Sequence, residues 1–228
     1  GFWPQQQSSP FITAYVVWGL WNAQQMDYTV DANALTRATD YLNTQFEAPD
    51  AVSTETGDDW RLNEMAFVHY VLAQMGQGDP GRMSTLYDVR ERLEPYGRAF
   101  LAMALHEVNP DDERVQTLAG DLLGEAVLTA AGAFWQDRTL DLPLMSSDVR
   151  TTAIVLDALI QITPDQPLLA NAVRWLMTVR SDGRWATTQE NAWSIIALTD
   201  WMEQTGELEA DYAWQATLND AELGSGAF

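Results

Sequence analysis

The chain has 228 residues, enough for one large domain or two small ones, and 46% of them are hydrophobic, which permits a sizeable core. Its 33 acidic residues against 12 basic ones give a net charge of −21, which argues against nucleic acid or an anionic membrane surface as a partner. The chain has no cysteine, which excludes disulfides, cysteine-ligated zinc and a cysteine nucleophile within these residues.

Two kinds of helix are predicted to alternate along the chain. The stretch 11–24 is apolar nearly all round, with Phe11 and Trp18 among its residues, whereas 31–46 has one apolar stripe that includes Leu35. A helix apolar all round must be covered on all sides, and a striped helix can face water. The same patterns predict inner helices at about 11–24, 60–75, 97–108, 148–162 and 189–203, and outer helices at about 31–46, 81–93, 111–127 and 167–180. Predicted N-caps are Asp31, Asp58, Asp79 and Asp148.

This order predicts an all-α fold, an α/α toroid formed by an incomplete ring of alternating inner and outer helices, with a short β segment at the C-terminus. Helix pairs with a period of about 40 residues are also typical of an open solenoid. The apolar inner helices favour the toroid, because a solenoid usually leaves one face of each helix in water. No apolar run reaches the roughly 20 residues that a membrane span needs.

Two stretches lack the helical period. Residues 130–147 predict an ordered excursion or a short hairpin. From Tyr212 to Leu218 apolar and other residues alternate, and Asn219 with Asp220 follows, which predicts a strand and a turn. We therefore divide the chain into 1–208, most of a toroidal domain, and 209–228, the first strand of a following β domain. The start at Gly1, without an initiator Met or signal peptide, predicts a fragment of a longer protein.

Carboxylates near the inner-helix starts are the first candidates for chemistry, because an α/α toroid can be a glycosidase. An inverting glycosidase places an acid and a base about 6.5–9.5 Å apart across a cleft. The candidates for such a pair are Asp58, Asp59, Asp148 and Glu190. Helix capping and the helix dipole explain the same positions. We favour capping, because acids are abundant and nothing singles out a pair.

Histidines and serines give no stronger signal. His69 and His106 lie on inner helices without the H-E-x-x-H spacing of a zinc site, so we favour hydrogen-bonded core or rim positions. No nucleophile elbow surrounds Ser146, Ser147 or Ser194. We therefore predict no catalytic, cofactor-binding or metal-ligating residue in the chain, and no cofactor.

Aromatic residues follow glycines at several turns, and they could line a sugar or isoprenoid pocket or plug the turns between helices. The turns are Gly1-Phe2-Trp3, Gly132-Ala133-Phe134-Trp135 and Gly183-Arg184-Trp185. Plugging is favoured, since Trp buries a large area and keeps a polar handle. Next along the chain, Thr187 and Glu190 have the spacing of a capping box.

Several segments resemble the thioester-containing domain of alpha-2-macroglobulins and complement thioester proteins, above all the bacterial alpha-2-macroglobulins. They are Ala172-Val173-Arg174-Trp175-Leu176, the Arg180 to Trp185 turn, and Ala186-Thr187-Thr188-Gln189-Glu190-Asn191-Ala192-Trp193. The resemblance covers nearly the whole chain. It implies an α/α toroid in an extracytoplasmic (periplasmic or cell-surface) bacterial protease trap. It also implies neighbouring β domains and target proteases as partners, with no nucleic acid and no membrane insertion.

In many members of this family a Cys–Gln thioester in the domain acylates a nucleophile on the attacking protease. The resemblance places the Cys-x-Glu-Gln pattern upstream of Gly1, and Gln189-Glu190 is a capping sequence instead. Some complement relatives use a His in the loop that corresponds to 51–59, where this chain has none. If a thioester exists, this implies direct transfer to amines. Some bacterial members lack the thioester, so both kinds stay open.

Two rival functions remain at this point. A terpenoid-cyclase-like or glycosidase-like toroid would be an enzyme, but the runs that begin at Asp58 and Asp111 do not match the Asp-Asp-x-x-Asp form of the ionising motif. An interaction domain without any thioester is the other rival. We expect no enzymatic activity from this chain.

Overall fold

A computed structural model describes residues 7–46, 49–52, 59–139, 142–207, 213–219 and 221–227. The helices in these residues are α1 (Pro10–Gln25), α2 (Ala32–Asn43), α3 (Trp60–Gln74), α4 (Pro80–Tyr87), α5 (Pro95–Val108), α6 (Glu113–Gly124), α7 (Asp148–Ile162), α8 (Leu168–Val179) and α9 (Thr188–Thr205). The strands are β1 (Val127–Thr129), β2 (Gly132–Phe134), β3 (Ala213–Leu218) and β4 (Ala221–Ala227), and short 3-10 helices lie at Pro49–Ala51, Arg90–Arg92 and Leu142–Leu144. In this part of the chain no helix is long and apolar enough to cross a bilayer.

The helices form two layers. The inner helix α5 packs between α3 and α7, while α1 packs on α3 and α9 packs on α7. Helices α3, α5 and α7 are buried on almost every side, whereas α2, α4, α6 and α8 each bury one stripe. The predicted alternation of inner and outer helices is therefore confirmed.

The first and last inner helices meet, which closes the inner layer into a ring. The Tyr15 hydroxyl of α1 donates to Gln189 Oε1 at 2.7 Å and accepts from Trp193 Nε1 of α9 at 2.9 Å. Trp18 stacks on Trp193 with 4.9 Å between ring centroids. The first and last repeats of an open solenoid do not touch, so these contacts decide for the toroid.

Aromatic rings from four inner helices fill the centre of this ring. Phe67 of α3 lies 4.6 Å from Tyr15 and 4.9 Å from Phe100 of α5, measured between centroids. Phe100 in turn lies 5.3 Å from Trp193. Tilted and edge-to-face rings at such distances attract one another beyond the effect of area burial alone. The centre of the toroid is thus a packed core.

The prediction that all five inner helices are covered on every side is wrong for α1 and α9. Val16 is 52% exposed and Ile195 is 58% exposed. The reason is that α3, α5 and α7 each pack along two inner neighbours, whereas α1 and α9 each pack along one. Their contact with each other consists of a few aromatic and polar side chains, which leaves part of both helices in solvent.

Two local predictions need correction. Asp148 is the first residue of α7, and Ser147 is the N-cap, whose hydroxyl accepts from the Arg150 N–H. The outer helix predicted at 81–93 ends at Tyr87, and Arg92 in the following 3-10 helix donates to the Val52 carbonyl at 2.7 Å. Backbone hydrogen bonds of the 3-10 type, from Arg92 to Val89 and from Leu93 to Arg90, here replace the continuation of the α-helix.

The remaining N-cap predictions have different outcomes. Asp31 and Asp79 are confirmed as N-caps, since each side chain accepts from backbone N–H groups of the first turn. Asp58 lies outside the described residues, and the N-cap of α3 is Asp59, whose side chain makes no capping hydrogen bond.

The irregular segment after α6 contains the predicted hairpin, formed by β1 and β2. Gly132 has a φ of +137°, and a Cβ atom there would lie 2.2 Å from the Asn171 carbonyl oxygen, so only glycine fits against α8. Phe134 stacks on Trp175 of α8 at 4.8 Å. The hairpin thus covers part of an outer helix.

The predicted β segment at the C-terminus is confirmed, and it is a hairpin of two strands. β3 pairs antiparallel with β4, and Asn219 at the turn has a φ of +48°. The sequence pattern predicted β3 and the turn but not the return strand, because β4 contains Gly224 and Gly226 and has no apolar alternation. Both strands are largely exposed.

The contact between α1 and α9 predicts that Trp193 contributes much more to the free energy of unfolding than Trp214 does. We expect Trp193→Ala to lower the free energy of unfolding by about 3–5 kcal/mol, because it empties a fully buried site. Trp193→Phe, which keeps a ring but loses the donor to Tyr15, should cause a smaller loss. Trp214→Ala in the exposed hairpin is the control and should change stability by about 0.5 kcal/mol or less. Equal losses for Trp193→Ala and Trp214→Ala in urea unfolding would contradict this account of ring closure.

Candidate functional site

The N-terminal ends of the inner helices lie together at one end of the ring. Glu64 in the first turn of α3 accepts from the Phe11 N–H of α1, and the Asn63 side chain accepts from the Glu94 N–H at the start of α5. The Ser147 hydroxyl at the start of α7 donates to Glu190 of α9 at 2.7 Å. We call this end, marked by Asn63, Glu94, Ser147 and Glu190, the N-terminal rim.

The predicted acid candidates that the structure describes lie at this rim, and two of them are held by structural contacts. Asp59 Oδ1 accepts from Arg92 Nε at 3.0 Å and Nη2 at 2.5 Å. Glu190 accepts from the Thr187 N–H with one oxygen and from Ser147 with the other, and the capping box is confirmed. Asp148 is a first-turn residue of α7, and burial raises the pKa of its carboxyl. Asp58 lies outside the described residues.

Glu94 is a buried carboxylate that the sequence patterns missed. Its oxygens accept from the Arg138 N–H at 2.8 Å, the Thr139 N–H at 3.2 Å and the Thr139 hydroxyl at 2.8 Å. The Arg138 guanidinium also donates to the Glu91 and Leu93 carbonyls. Glu94 therefore ties the segment after β2 to the rim, and its position before Pro95 gave no sign of that.

Asp137 is the rim residue with the most altered acidity. The Thr151 hydroxyl lies 2.8 Å from Oδ1 and 2.9 Å from Oδ2. Burial raises the pKa of Asp137 to about 7, the charge of Glu94 adds to this, and Thr151 and Arg150 oppose it. A carboxyl that titrates near neutrality can act as an acid or base, although structural networks produce the same shift.

Arg150 is fully buried on α7. Its guanidinium carbon lies 4.8 Å from the centre of the Tyr96 ring. No acceptor in the described structure lies in hydrogen-bonding geometry with Nε or either Nη atom. The Tyr96 ring therefore supplies a cation–π contact, and the Asp137 carboxyl is a nearby group of opposite charge.

The predicted histidines and serines do not form a nucleophilic site. His69 stacks on Phe46 at 4.4 Å, and burial lowers its pKa to about 4, so it is neutral at pH 7. His106 lies near the C-terminal end of α5, and its Nδ1 atom is buried without a partner.

Ser194 is fully buried and its hydroxyl makes no hydrogen bond, so no base activates it. Ser146 is buried, and Ser147 is the cap described above. Within the described ranges no three His, Asp or Glu side chains cluster as metal ligands.

The aromatic turns brace the helices. Trp185 Nε1 donates to the Leu176 carbonyl at 3.0 Å, and Trp135 Nε1 donates to the Leu122 carbonyl at 2.7 Å. Each bond ties an indole to a carbonyl in the last turn of an outer helix, where carbonyls have few or no partners within the helix. Phe2 and Trp3 lie outside the described residues.

The opposite end of the ring holds a cavity of about 450 Å³. Its walls come from α1, α3, α7 and α9, and they include Trp18, Tyr70, Asp157, Gln161 and Asp200. The sequence patterns missed this site, although one acid inside the otherwise apolar α7 is a signal for it. We call it the carboxyl cavity.

Neither protein-family models nor curated protein sequences match the chain. Solved structures do. Salmonella alpha-2-macroglobulin reacted with methylamine matches 98% of this chain with a TM-score of 0.68 and 22% identity. Native alpha-2-macroglobulin of Escherichia coli matches 98% with a TM-score of 0.68 and 19% identity. The chain has the fold of a domain-sized part of the bacterial alpha-2-macroglobulins.

The matched proteins are much longer than this chain. It spans 14% of the Salmonella chain and 13% of the native Escherichia coli chain. It spans 34% of an Escherichia coli alpha-2-macroglobulin structure that runs from domain MG7 to the C-terminus, with a TM-score of 0.67 and 20% identity. The chain therefore corresponds to one part of a multidomain protein in each case.

Asp137 predicts a pH dependence of stability. Because its folded pKa of about 7 lies above the ordinary value near 4, the folded state binds more protons between these values, and stability falls as pH rises through this window. We expect a loss on the order of 1 kcal/mol per pH unit. Asp137→Asn, which can still accept from Thr151, should flatten the slope in urea unfolding from pH 4 to 8. Asp165→Asn, at an exposed turn, is the control, and an unchanged slope in Asp137→Asn would refute the assignment.

Proposed function

We propose that this chain is the toroidal domain of a bacterial alpha-2-macroglobulin-like protease inhibitor that acts outside the cytoplasm. The observation that carries the proposal is the extent of the match, which covers 98–99% of the chain. A match of that extent includes both the helical ring and the C-terminal hairpin, because the hairpin exceeds the unmatched remainder. The order of a toroid followed by β structure is thus common to this chain and to those inhibitors.

The rim chemistry supports a structural role in this proposal. Asp59 and Glu190 are engaged by an arginine and a capping box, so neither is free to protonate a substrate. Asp137 and Glu94 bind side chains and backbone of neighbouring segments. A glycosidase or cyclase needs carboxylates that face substrate. We therefore propose that the domain works as a rigid body whose partners are neighbouring β domains and, in the intact protein, a target protease.

The C-terminal hairpin belongs, in this proposal, to a following β domain that begins near residue 209. Trp214, Leu218 and Leu223 are large apolar side chains that stand exposed on the two strands. Exposed apolar residues on a two-stranded ribbon are typical of a surface that further strands cover, since an isolated hairpin is only marginally stable.

The composition of the chain is also compatible with an upstream thioester that reacts with amines. All 12 basic residues of the chain are arginine, so it has no lysine ε-amino group. Arginine stays protonated and is not a nucleophile at neutral pH. If the intact protein carries a thioester upstream of this chain, the domain offers it no lysine to acylate. The loop at 51–59 has no histidine, which supports transfer directly to amines.

A protease-trapping assay tests the proposal on the intact polypeptide that contains this chain. We expect that trypsin or elastase treated with an excess of that protein no longer cleaves a large protein substrate. The treated protease should still cleave a small chromogenic peptide. The reason is that a trap encloses the protease and leaves its active site open. The 228-residue chain alone is the control and should not protect the large substrate from cleavage. Unchanged cleavage of the large substrate would refute the proposal, as would equal loss of both activities.

Labelling with two nucleophiles tests the thioester part separately. If a thioester is present, we expect the intact protein to incorporate labelled methylamine and to form little ester with labelled glycerol, because no histidine in loop 51–59 assists hydroxyls. Incorporation of neither label, with the trap still active, would identify an inhibitor without a thioester. Efficient ester formation with glycerol would contradict the proposed direct transfer to amines.

A further inference from the structure

The carboxyl cavity contains a buried acid without a counter-ion. Asp157 is 1% exposed, and Gln161 Nε2 donates to its Oδ1 at 2.8 Å. The Asp200 carboxyl of α9 lies within hydrogen-bonding reach of Asp157. In the described structure no arginine forms an ion pair with either acid, and the chain has no lysine to supply one.

The groups around Asp157 show how its charge is controlled. Burial and the neighbouring Asp200 raise the pKa of Asp157 well above its usual range. The Tyr70 hydroxyl of α3 faces both acids, and burial raises its pKa, so it is neutral. From α5, Met103 contacts Gln161, and Glu107 accepts from Gln74 at the cavity wall. Every charged group in this set is an acid.

The walls combine this negative charge with aromatic surface. Trp18 lines the cavity and is held in place by its stack on Trp193. Tyr70 and Ile196 add apolar area, and Asn22, Gln74 and Gln161 add amides. A volume of about 450 Å³ lies within the roughly 300–1,000 Å³ of ligand pockets. Carboxylates beside an indole form the usual surroundings of a bound organic cation.

We propose that the carboxyl cavity binds a small organic cation, a guanidinium or ammonium group on a short alkyl chain. From within the cavity the cation contacts the carboxyl groups of both Asp157 and Asp200, and the alkyl part contacts Trp18 and Ile196. Because the pKa of Asp157 is raised, cation binding displaces the proton of its carboxyl group, and that proton passes to solvent. An anion is disfavoured by the acids Asp157, Asp200 and Glu107, and a metal ion is disfavoured because only two of these, Asp157 and Asp200, line the cavity. The inference rests on this cavity alone and is independent of the proposed function.

Calorimetric titration of the 228-residue chain with butylguanidinium tests the proposal. Butylurea, which has nearly the same shape without the charge, is the matched control. We expect butylguanidinium to bind at least about tenfold more tightly than butylurea, because only the cation neutralises the carboxylates of Asp157 and Asp200. Its affinity should rise as pH increases from about 5 to 8, with proton release seen as a dependence of heat on the buffer. Binding should also change Trp fluorescence.

Variants identify the site. Asp200→Asn should weaken butylguanidinium at least about tenfold, because it removes one of the paired charges. Asp157→Asn should weaken it similarly and abolish the proton release. Glu203→Gln, an exposed acid one turn further along α9, removes the same formal charge outside the cavity and should leave binding unchanged. Circular dichroism and urea unfolding check that each variant is folded.

Three outcomes would overturn the proposal. Equal affinity for butylguanidinium and butylurea would mean that the cavity selects shape and not charge. Equal weakening by Asp200→Asn and Glu203→Gln would mean that the overall negative field attracts the cation. Absence of binding at millimolar butylguanidinium in the folded wild-type chain would mean that the cavity holds no such ligand.

Discussion

The contact between the first and last inner helices decides the shape of this protein. Trp193 of α9 donates to Tyr15 of α1 and stacks on Trp18, so residues far apart in sequence become neighbours. The same tryptophan touches Phe100 of α5, which connects the closure to the packed centre. A single side chain thus joins the two ends of the helical row to its middle, and the carboxyl cavity depends on that closure because α1 and α9 both line it.

The two ends of the ring differ in how they treat acids. At the N-terminal rim the two most buried carboxylates have several donors: Glu190 has a hydroxyl and an N–H group, and Glu94 has two N–H groups and a hydroxyl. Such positions are favourable because helix N-termini offer unpaired N–H groups and positive potential. At the opposite end Asp157 has one amide donor and a second acid beside it. The rim carboxylates hold helix starts and loops together, which explains why they are buried. No such contact in the described structure explains the burial of Asp157 in the carboxyl cavity.

The spacing of apolar residues predicted helix bounds well where the same sides of a helix are buried along its whole length. The period of apolar residues located α3, α7 and α8 within about two residues of their bounds, because burial on all sides or on one stripe leaves a clear record in the sequence. Thr187 and Glu190 likewise predicted the start of α9 through contacts within one turn. The apolar period failed to predict the end of α4, which a 3-10 helix follows, and the exposed outer sides of α1 and α9.

By itself the sequence determined an all-α protein of alternating buried and half-exposed helices with a β tail, since periodicity and capping depend on residues within a few turns. Only the tertiary structure decided that the row closes into a ring, that Glu94, Asp137 and Arg150 meet at the rim, and that Asp157 and Asp200 share a cavity. Those groupings join side chains from helices far apart in the chain. Their pKa values and partners arise from burial and proximity, which no local pattern records.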